Sequence, residues 1–424
     1  MDFAEKNIAD GVSLVNVNAG RFKTNEIAIS LALPLKEETA SANALFINLL
    51  SRRSAEYKNQ TELNRKLANL YGASLSAVVT KVGECQVLKL GITCLDDKFS
   101  LDGGSISFEC LKLLVSLLFE PRLNGSAFFD EDVESEKRIL IEKIDAENNE
   151  KRTYVLRQAE KLMFDGEPYA INRFGTVDSI KKLTSSDIYN AWKNALETAK
   201  IMVTIIGSAD CDNAERLVKN ALEGIERKFA ELPAAVFVPF CDRVKEQMER
   251  LDVKQGKLVL GYRVNLKPDD ELAAAMRTFC DVFGGGPYSK LFANVREKMS
   301  LCYYCSARYT RTKSMVLIQC GCNEENMDKA VNEIQNQLDI IKNGDFVEEF
   351  HSSKLAMKDA LLSVNDTPEA IEAWYVNQLA DDKLKTPEQS SAENDSVTME
   401  QVQHCASLLT LDTIYKLSSP KEEA

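Results

Sequence analysis

A zinc site of the helical His-x-x-x-His type needs two imidazoles on one face, one turn apart. The chain has only two histidines, His351 and His404, too far apart in sequence to share a turn. His351 follows Glu348-Glu349-Phe350, His404 precedes Cys405, and both read as ordinary helical histidines. Thiols are a second source of metal ligands. Cys302-Tyr303-Tyr304-Cys305 and Cys320-Gly321-Cys322 form a four-thiol set. Structural zinc sites use paired Cys-x-x-Cys knuckles, and the second pair here has a single intervening residue. It falls in a predicted strand that places both thiols on one side. Packing is therefore favoured over zinc binding and over a redox role, and no metal ligand is assigned to this chain.

The most unusual loop is Gly284-Gly285-Gly286-Pro287-Tyr288-Ser289-Lys290. A phosphate loop would read Gly-x-x-x-x-Gly-Lys-Ser/Thr after a strand; this run has another spacing and follows a predicted helix. It reads as a flexible helix-to-helix turn whose glycines permit positive φ and the close approach of another backbone. Arg296 comes next, and Tyr303 seven positions later. By pattern alone Arg296 is a solvated helical residue and Tyr303 a core or rim aromatic.

The elements that must position these residues occur twice. In the first half an apolar strand at 25–35 is followed by helices at 42–52 and 61–70, then by β-rich sequence through Val78 and 86–94. In the second half a strand at 257–266 precedes helices at 271–283 and 288–299, then an alternating strand at 315–322. Later parts also match. Thr184 and Thr398 each stand three residues before Asp187 or Gln401, as a helix N-cap and its back-bonding partner do. Each predicted helix leads to a strand, at 201–207 and 413–417. Residues 131–161 read as one charged helical region. Two tandem copies of one α+β domain are expected, each a mostly antiparallel sheet with helices packed on one face. The copies span 1–228 and 251–424, joined by a partly packed linker at 229–250 that carries Pro233 and Pro239 and ends in the charged stretch 243–250.

Composition fits this scheme. The chain has 424 residues, enough for two large domains, and 45% are apolar. Disorder is expected only in the last few residues, from Pro420 on. The net charge of −13 argues against non-specific nucleic-acid binding and would draw in basic peptides at long range. Eleven scattered cysteines suggest reduced thiols in a cytoplasm rather than a secreted disulfide scaffold. The N-terminal residues show no signal-peptide pattern, and the longest apolar block is too short for a membrane span.

Residues 283–303, from Phe283 through the glycines, Arg296-Glu297-Lys298 and on to Tyr303, closely resemble the second-domain signature of the pitrilysin–insulinase (inverzincin) zinc peptidases. There a Gly-rich loop leads to a helix ending in Arg-Glu-Lys, and an aromatic follows the Arg by seven. The duplicated layout extends the resemblance over nearly the whole chain. It is strongest for the bacterial branch of paired half-size subunits akin to mitochondrial processing peptidase, with a LuxS/metallohydrolase-like fold. Active members carry His-x-x-Glu-His in the first helix of the first domain. The matching helix here, 42–50, has no His, Glu or Cys, and the third-ligand slot falls at Lys143, beside Glu142. The resemblance thus implies a non-catalytic subunit of a heteromeric zinc metallopeptidase, inactive alone. Its zinc would reside in a paralogous partner bearing His-x-x-Glu-His. Arg296 and Tyr303 would act in trans, with Tyr303 on the oxyanion and Arg296 on an adjacent substrate carbonyl, while Gly284, Gly285 and Gly286 admit the peptide backbone. The alternative it leaves open is a degenerate member that binds peptides or acts as a scaffold without proteolysis.

Overall fold

The structure, a computed structural model, describes residues 2–420; the tail at 421–424, where disorder is expected, lies outside the described residues. The chain forms two compact units. One comprises the chain up to Ile144 with Ile171–Ala234 and Val364–Thr386; the other comprises Asp145–Ala170, Ala235–Ser363 and the chain from Pro387 on. Two segments therefore belong to the unit opposite to the repeat in which they lie in sequence.

In the first unit β1 (Asp2–Ala9), β2 (Val12–Asn18), β3 (Thr24–Pro34), β4 (Ser74–Val82), β5 (Cys85–Leu95) and β6 (Lys200–Gly207) form a sheet in the order β1-β2-β6-β3-β5-β4. In the second, β7 (Lys245–Arg250), β8 (Lys257–Val264), β9 (Tyr304–Thr310), β10 (Met315–Gly321) and β11 (Leu409–Ser418) are ordered β7-β11-β8-β10-β9. Setting β1 aside, the two orders are the same. The ladders agree too: β2 with β6 and β7 with β11 are parallel, and the remaining pairs are antiparallel. The duplication read from the sequence is thus a duplication of topology. The capping prediction holds as well. Thr184 and Thr398 each accept from the backbone N–H three residues on, and Asp187 and Gln401 return the bond.

The central strands β3 and β8 are buried along almost their whole length because both faces are covered. One face of the first sheet carries Ile27, Ile29, Leu31, Leu88 and Leu90 under the helices Glu37–Leu50, Ile106–Phe119, Ser185–Thr198 and Cys211–Leu222. Most helices pack this way, as expected. The opposite face carries one further helix, Pro368–Val376, which lays Ile371, Tyr375 and Val376 on Val15, Ala32 and Val87. The second sheet repeats the arrangement with the helix Lys151–Met163, whose Val155, Ala159 and Met163 cover Val259, Leu317 and Tyr415. The charged region 131–161 is therefore two helices, Asp130–Asn149 and Lys151–Met163. Glu150 separates them by accepting from the N–H groups of Arg152 and Thr153 as an N-cap. The charged end of the predicted linker is also structured. It is the edge strand β7, held by Glu249, which accepts from the Tyr154 and Tyr415 hydroxyls.

The second face of the first sheet hides a charged cluster. Lys89 Nζ lies 2.8 Å from Glu372 and 3.9 Å from Glu26, whose other oxygen accepts from Thr93 at 2.6 Å. Both carboxylates are buried, and Lys89 is the cation that compensates them. Removing one partner of a buried pair costs about 3–5 kcal/mol. Lys89→Met is expected to destabilise the chain by that amount in denaturant unfolding. A sign for pH follows. Burial raises the carboxyl pKa of both Glu26 and Glu372 above the ordinary range. A raised carboxyl favours the folded state when protonated. That contribution is complete below the unfolded value of about 4.3 and is lost as pH rises through the folded values. The stability gap between native chain and Lys89→Met should therefore widen from pH 4.5 to 7.5.

Candidate functional site

The first repeat can be tested for the zinc chemistry its position implies. The helix Glu37–Leu50 is buried along most of its length, and its polar side chains are engaged within the fold. Asn43 donates to Gln86 Oε1 at 2.9 Å, and Gln86 in turn donates to the carbonyls of Ala40 (2.9 Å) and Arg173 (2.6 Å). Asn48 donates back to the Ala44 carbonyl at 2.9 Å. Lys143 and Glu142 are exposed, and the Lys143 ammonium sits 5.0 Å over the Phe174 ring. The buried carboxylates on the same helix are ion-paired, Glu136 with Arg52 and Asp132 with Arg53 and Arg122. Zinc takes thiolate, imidazole or carboxylate ligands, whereas the matching stretch 42–50 offers two amides already hydrogen-bonded. The donor set does not suit a catalytic zinc.

The second repeat carries the other candidate residues. The helix Ala273–Gly284 runs directly into the glycine run. None of Gly284, Gly285 and Gly286 is among the glycines with positive φ, and Gly285 sits at φ −83° as the C-cap. The predicted use of positive φ is therefore absent here. A Cβ on Gly284 would stand 2.5 Å from the Ala307 nitrogen of β9, so a bare Cα lets the helix end press on the sheet. A Cβ on Gly286 would meet the Tyr288 ring, whose hydroxyl donates to Asp281 at 2.6 Å. Gly284 is buried, and Gly285 and Pro287 are the exposed part of the run.

Beyond it, Leu291–Lys298 is a π-helix, not the ordinary helix the periodicity predicts. Its wider hydrogen-bond register shows in the Met299 N–H, which donates to the Asn294 carbonyl at 3.0 Å. The Asn294 amide donates both to the Lys290 carbonyl (3.1 Å) and to Gln337 (2.9 Å), sharing an acceptor that an α-helical ladder would use alone. Arg296 lies in the last turn. Its guanidinium stacks 4.4 Å over Phe292, its Nε is 3.4 Å from Glu297, and its side chain is 39% exposed.

A sharp reversal then leads to Tyr303. Ser300 adopts φ +50°, an uncommon value for a non-glycine residue. Leu301 and Cys302 turn into the core, while Tyr303 remains 63% exposed with its N–H donating to the Gly321 carbonyl at 2.8 Å. The edge strand β9 starts at the next residue. Arg296 and Tyr303 thus stand on either side of one buried, backbone-pinned reversal. The neighbouring Cys305 and Cys320 thiols lower the Cys302 thiol below its ordinary range, and the Arg296 charge adds to this.

Three of the four thiols grouped by the sequence come together. The sulfurs of Cys302, Cys305 and Cys320 all lie within 4.8 Å of one another, because Cys305 and Cys320 face each other across the β9–β10 ladder. The two histidines take no part: His351 is exposed on the helix Val347–Ser363, and His404 is exposed on the helix Met399–Ser407.

Comparison with known proteins agrees with this geometry. Residues 182–354 match the family model described as the Peptidase M16 inactive domain. The chain is 29% identical over 408 residues to a Bacillus subtilis protein named probable inactive metalloprotease YmfF, covering 96% of each chain. It superposes on the whole of a conserved protein from Enterococcus faecalis with a TM-score of 0.90 and 26% identity. A Pseudomonas fluorescens structure described as a peptidase M16 inactive domain shares the fold, with a TM-score of 0.79 and 15% identity over 99% of each chain. In its duplicated topology, its Gly-rich second-repeat signature and these likenesses, the chain is similar along its whole length to proteins of the M16 peptidase family, and it carries no His-x-x-Glu-His.

Proposed function

We propose that this chain is a catalytically silent M16 subunit that completes the active site of a zinc-bearing partner by lending it Arg296 and Tyr303. The observation that carries the reading is a contrast. The first repeat has hydrogen-bonded amides where zinc ligands would stand, yet the second repeat mounts a phenol, 63% exposed, on a pinned reversal seven residues after Arg296, whose side chain is 39% exposed.

In the assembled pair the partner supplies the metal and the general base, and this chain supplies hydrogen-bond donors. The Tyr303 hydroxyl donates to the oxygen of the scissile carbonyl as negative charge develops there. Arg296 donates to a neighbouring substrate carbonyl and fixes the peptide's register. A fixed donor aimed at developing charge is worth about 2.7–4 kcal/mol. The strand β9 begins at Tyr304 and pairs only with β10 among the described residues, so its outer edge suits an added peptide strand. The exposed Gly285 and Pro287 leave room for such a backbone. A net charge of −13 favours basic peptides at long range. No helix among the described residues is long and apolar enough to cross a membrane, and the eleven free thiols fit a reducing cytoplasm.

A peptide-binding protein without proteolysis is the competing reading, favoured by the lost zinc ligands taken alone. Activity separates the two. The purified chain is expected to cleave no peptide by itself, and to support cleavage once mixed with the paralogue bearing His-x-x-Glu-His. Tyr303→Phe should lower the kcat of that pair by about 100- to 1,000-fold while its zinc content stays intact. Arg296→Ala should act mainly through a higher KM, because it removes binding to a carbonyl that does not react. An unchanged kcat for Tyr303→Phe in an active pair sinks the role given to Tyr303.

A further inference from the structure

The thiol group behind Tyr303 has no part in the function proposed above. Cys302, Cys305 and Cys320 are buried, and their sulfurs converge within 4.8 Å. Cys322, also buried, follows two residues after Cys320. Buried cysteines often serve as small hydrophobes. Convergence of three sulfurs on one point, with a fourth adjoining, is more than apolar packing demands.

Two features suit a metal. Thiolate sulfurs around a tetrahedral ion at ~2.3 Å bonds lie ~3.8 Å apart, so closing the observed group needs shifts of no more than ~1 Å. Strand pairing fixes the frame, because Cys305 and Cys320 are direct cross-strand partners and Cys302 is anchored by the Tyr303–Gly321 backbone bond. Each thiol releases its proton to solvent as it coordinates.

We infer that Cys302, Cys305 and Cys320, with Cys322 next in line for the fourth position, form a thiolate site for a zinc-like d10 cation in the second repeat. This site is structural. Closed coordination by sulfur leaves no position for a reacting water, so it is separate from the catalytic zinc assigned to the partner. Its role is to lock the start of β9 to the end of β10, and hence to hold Tyr303 in place. It stands or falls independently of any proteolysis.

Cobalt(II) tests this on the full-length reduced chain under anaerobic conditions. The expected result is one equivalent bound, with a sulfur-to-cobalt charge-transfer band in the near ultraviolet that disappears when zinc(II) is added. The Cys302→Ser/Cys305→Ser double variant should lose the band while keeping its far-ultraviolet circular dichroism. Should that variant fail to fold, zinc-edge X-ray absorption of the native chain decides, with a majority sulfur shell at ~2.3 Å expected. A folded native chain without the band overturns the assignment. So does a band that persists in the folded double variant, a nitrogen or oxygen shell at the zinc edge, or a disulfide among these thiols in the protein isolated from cells.

Discussion

The burial of Leu301, Cys302 and Cys305 on either side of an exposed Tyr303 is the constraint on which the functional account rests. Two core-directed residues precede the tyrosine and another follows it two positions later. The backbone between them is tied to Gly321 at the end of β10. The phenol has little choice but to leave the core. The π-helical turn and the left-handed Ser300 bring the chain to that point and place Arg296 on the near side of it. Irregular backbone of this kind costs energy and persists where the surroundings over-determine it. Here the surroundings are Asn294 bridging to Gln337, Gly284 pressed against Ala307, and the thiols beneath.

The duplication explains how a half can be silent without collapsing. The strand order and ladder sense repeat between the two sheets, so each repeat keeps its own core whatever its chemistry. In the first repeat the helix Glu37–Leu50 is built from apolar residues and an Asn43–Gln86 amide pair, an ordinary hydrogen-bonded core. Each sheet also hides charge on its second face. Lys89 sits between Glu26 and Glu372 in one unit, and Arg263 bonds Asp412 and Glu167 in the other. These clusters tie the single helix or loop on that face to the sheet by directional contacts.

Much of this was legible in the sequence, and the exceptions have physical causes. The strands with continuous apolar runs, β3, β5, β6, β8 and β10, stand out because burial on both faces demands apolar side chains throughout. Edge strands carry no such signature. β7 (KEQMER) reads as a charged linker and β9 (YCSARYT) as nothing in particular, since only one side of each needs a partner. The Thr184 and Thr398 caps were legible because capping chemistry is local. The π-helix was not, since its register is decided by long-range bonds such as Asn294 to Gln337. The glycine run invited a reading of conformational freedom, whereas the fold uses it for close approach. The four thiols stood out by spacing and read as packing, whereas their convergence needed a pairing register: Cys305 meets Cys320 only once β9 and β10 are laid side by side.

Transition-state complementarity is the core of the account, and a pair of affinities measures it directly. A phosphinic peptide mimics the tetrahedral species, and a matched uncleaved peptide mimics the ground state. Both would be titrated against the assembled pair with Tyr303 intact and with Tyr303→Phe. The account predicts a loss of about 100-fold in affinity for the phosphinic peptide and little change for the ordinary one. Equal affinities for the phosphinic peptide before and after the substitution would contradict it.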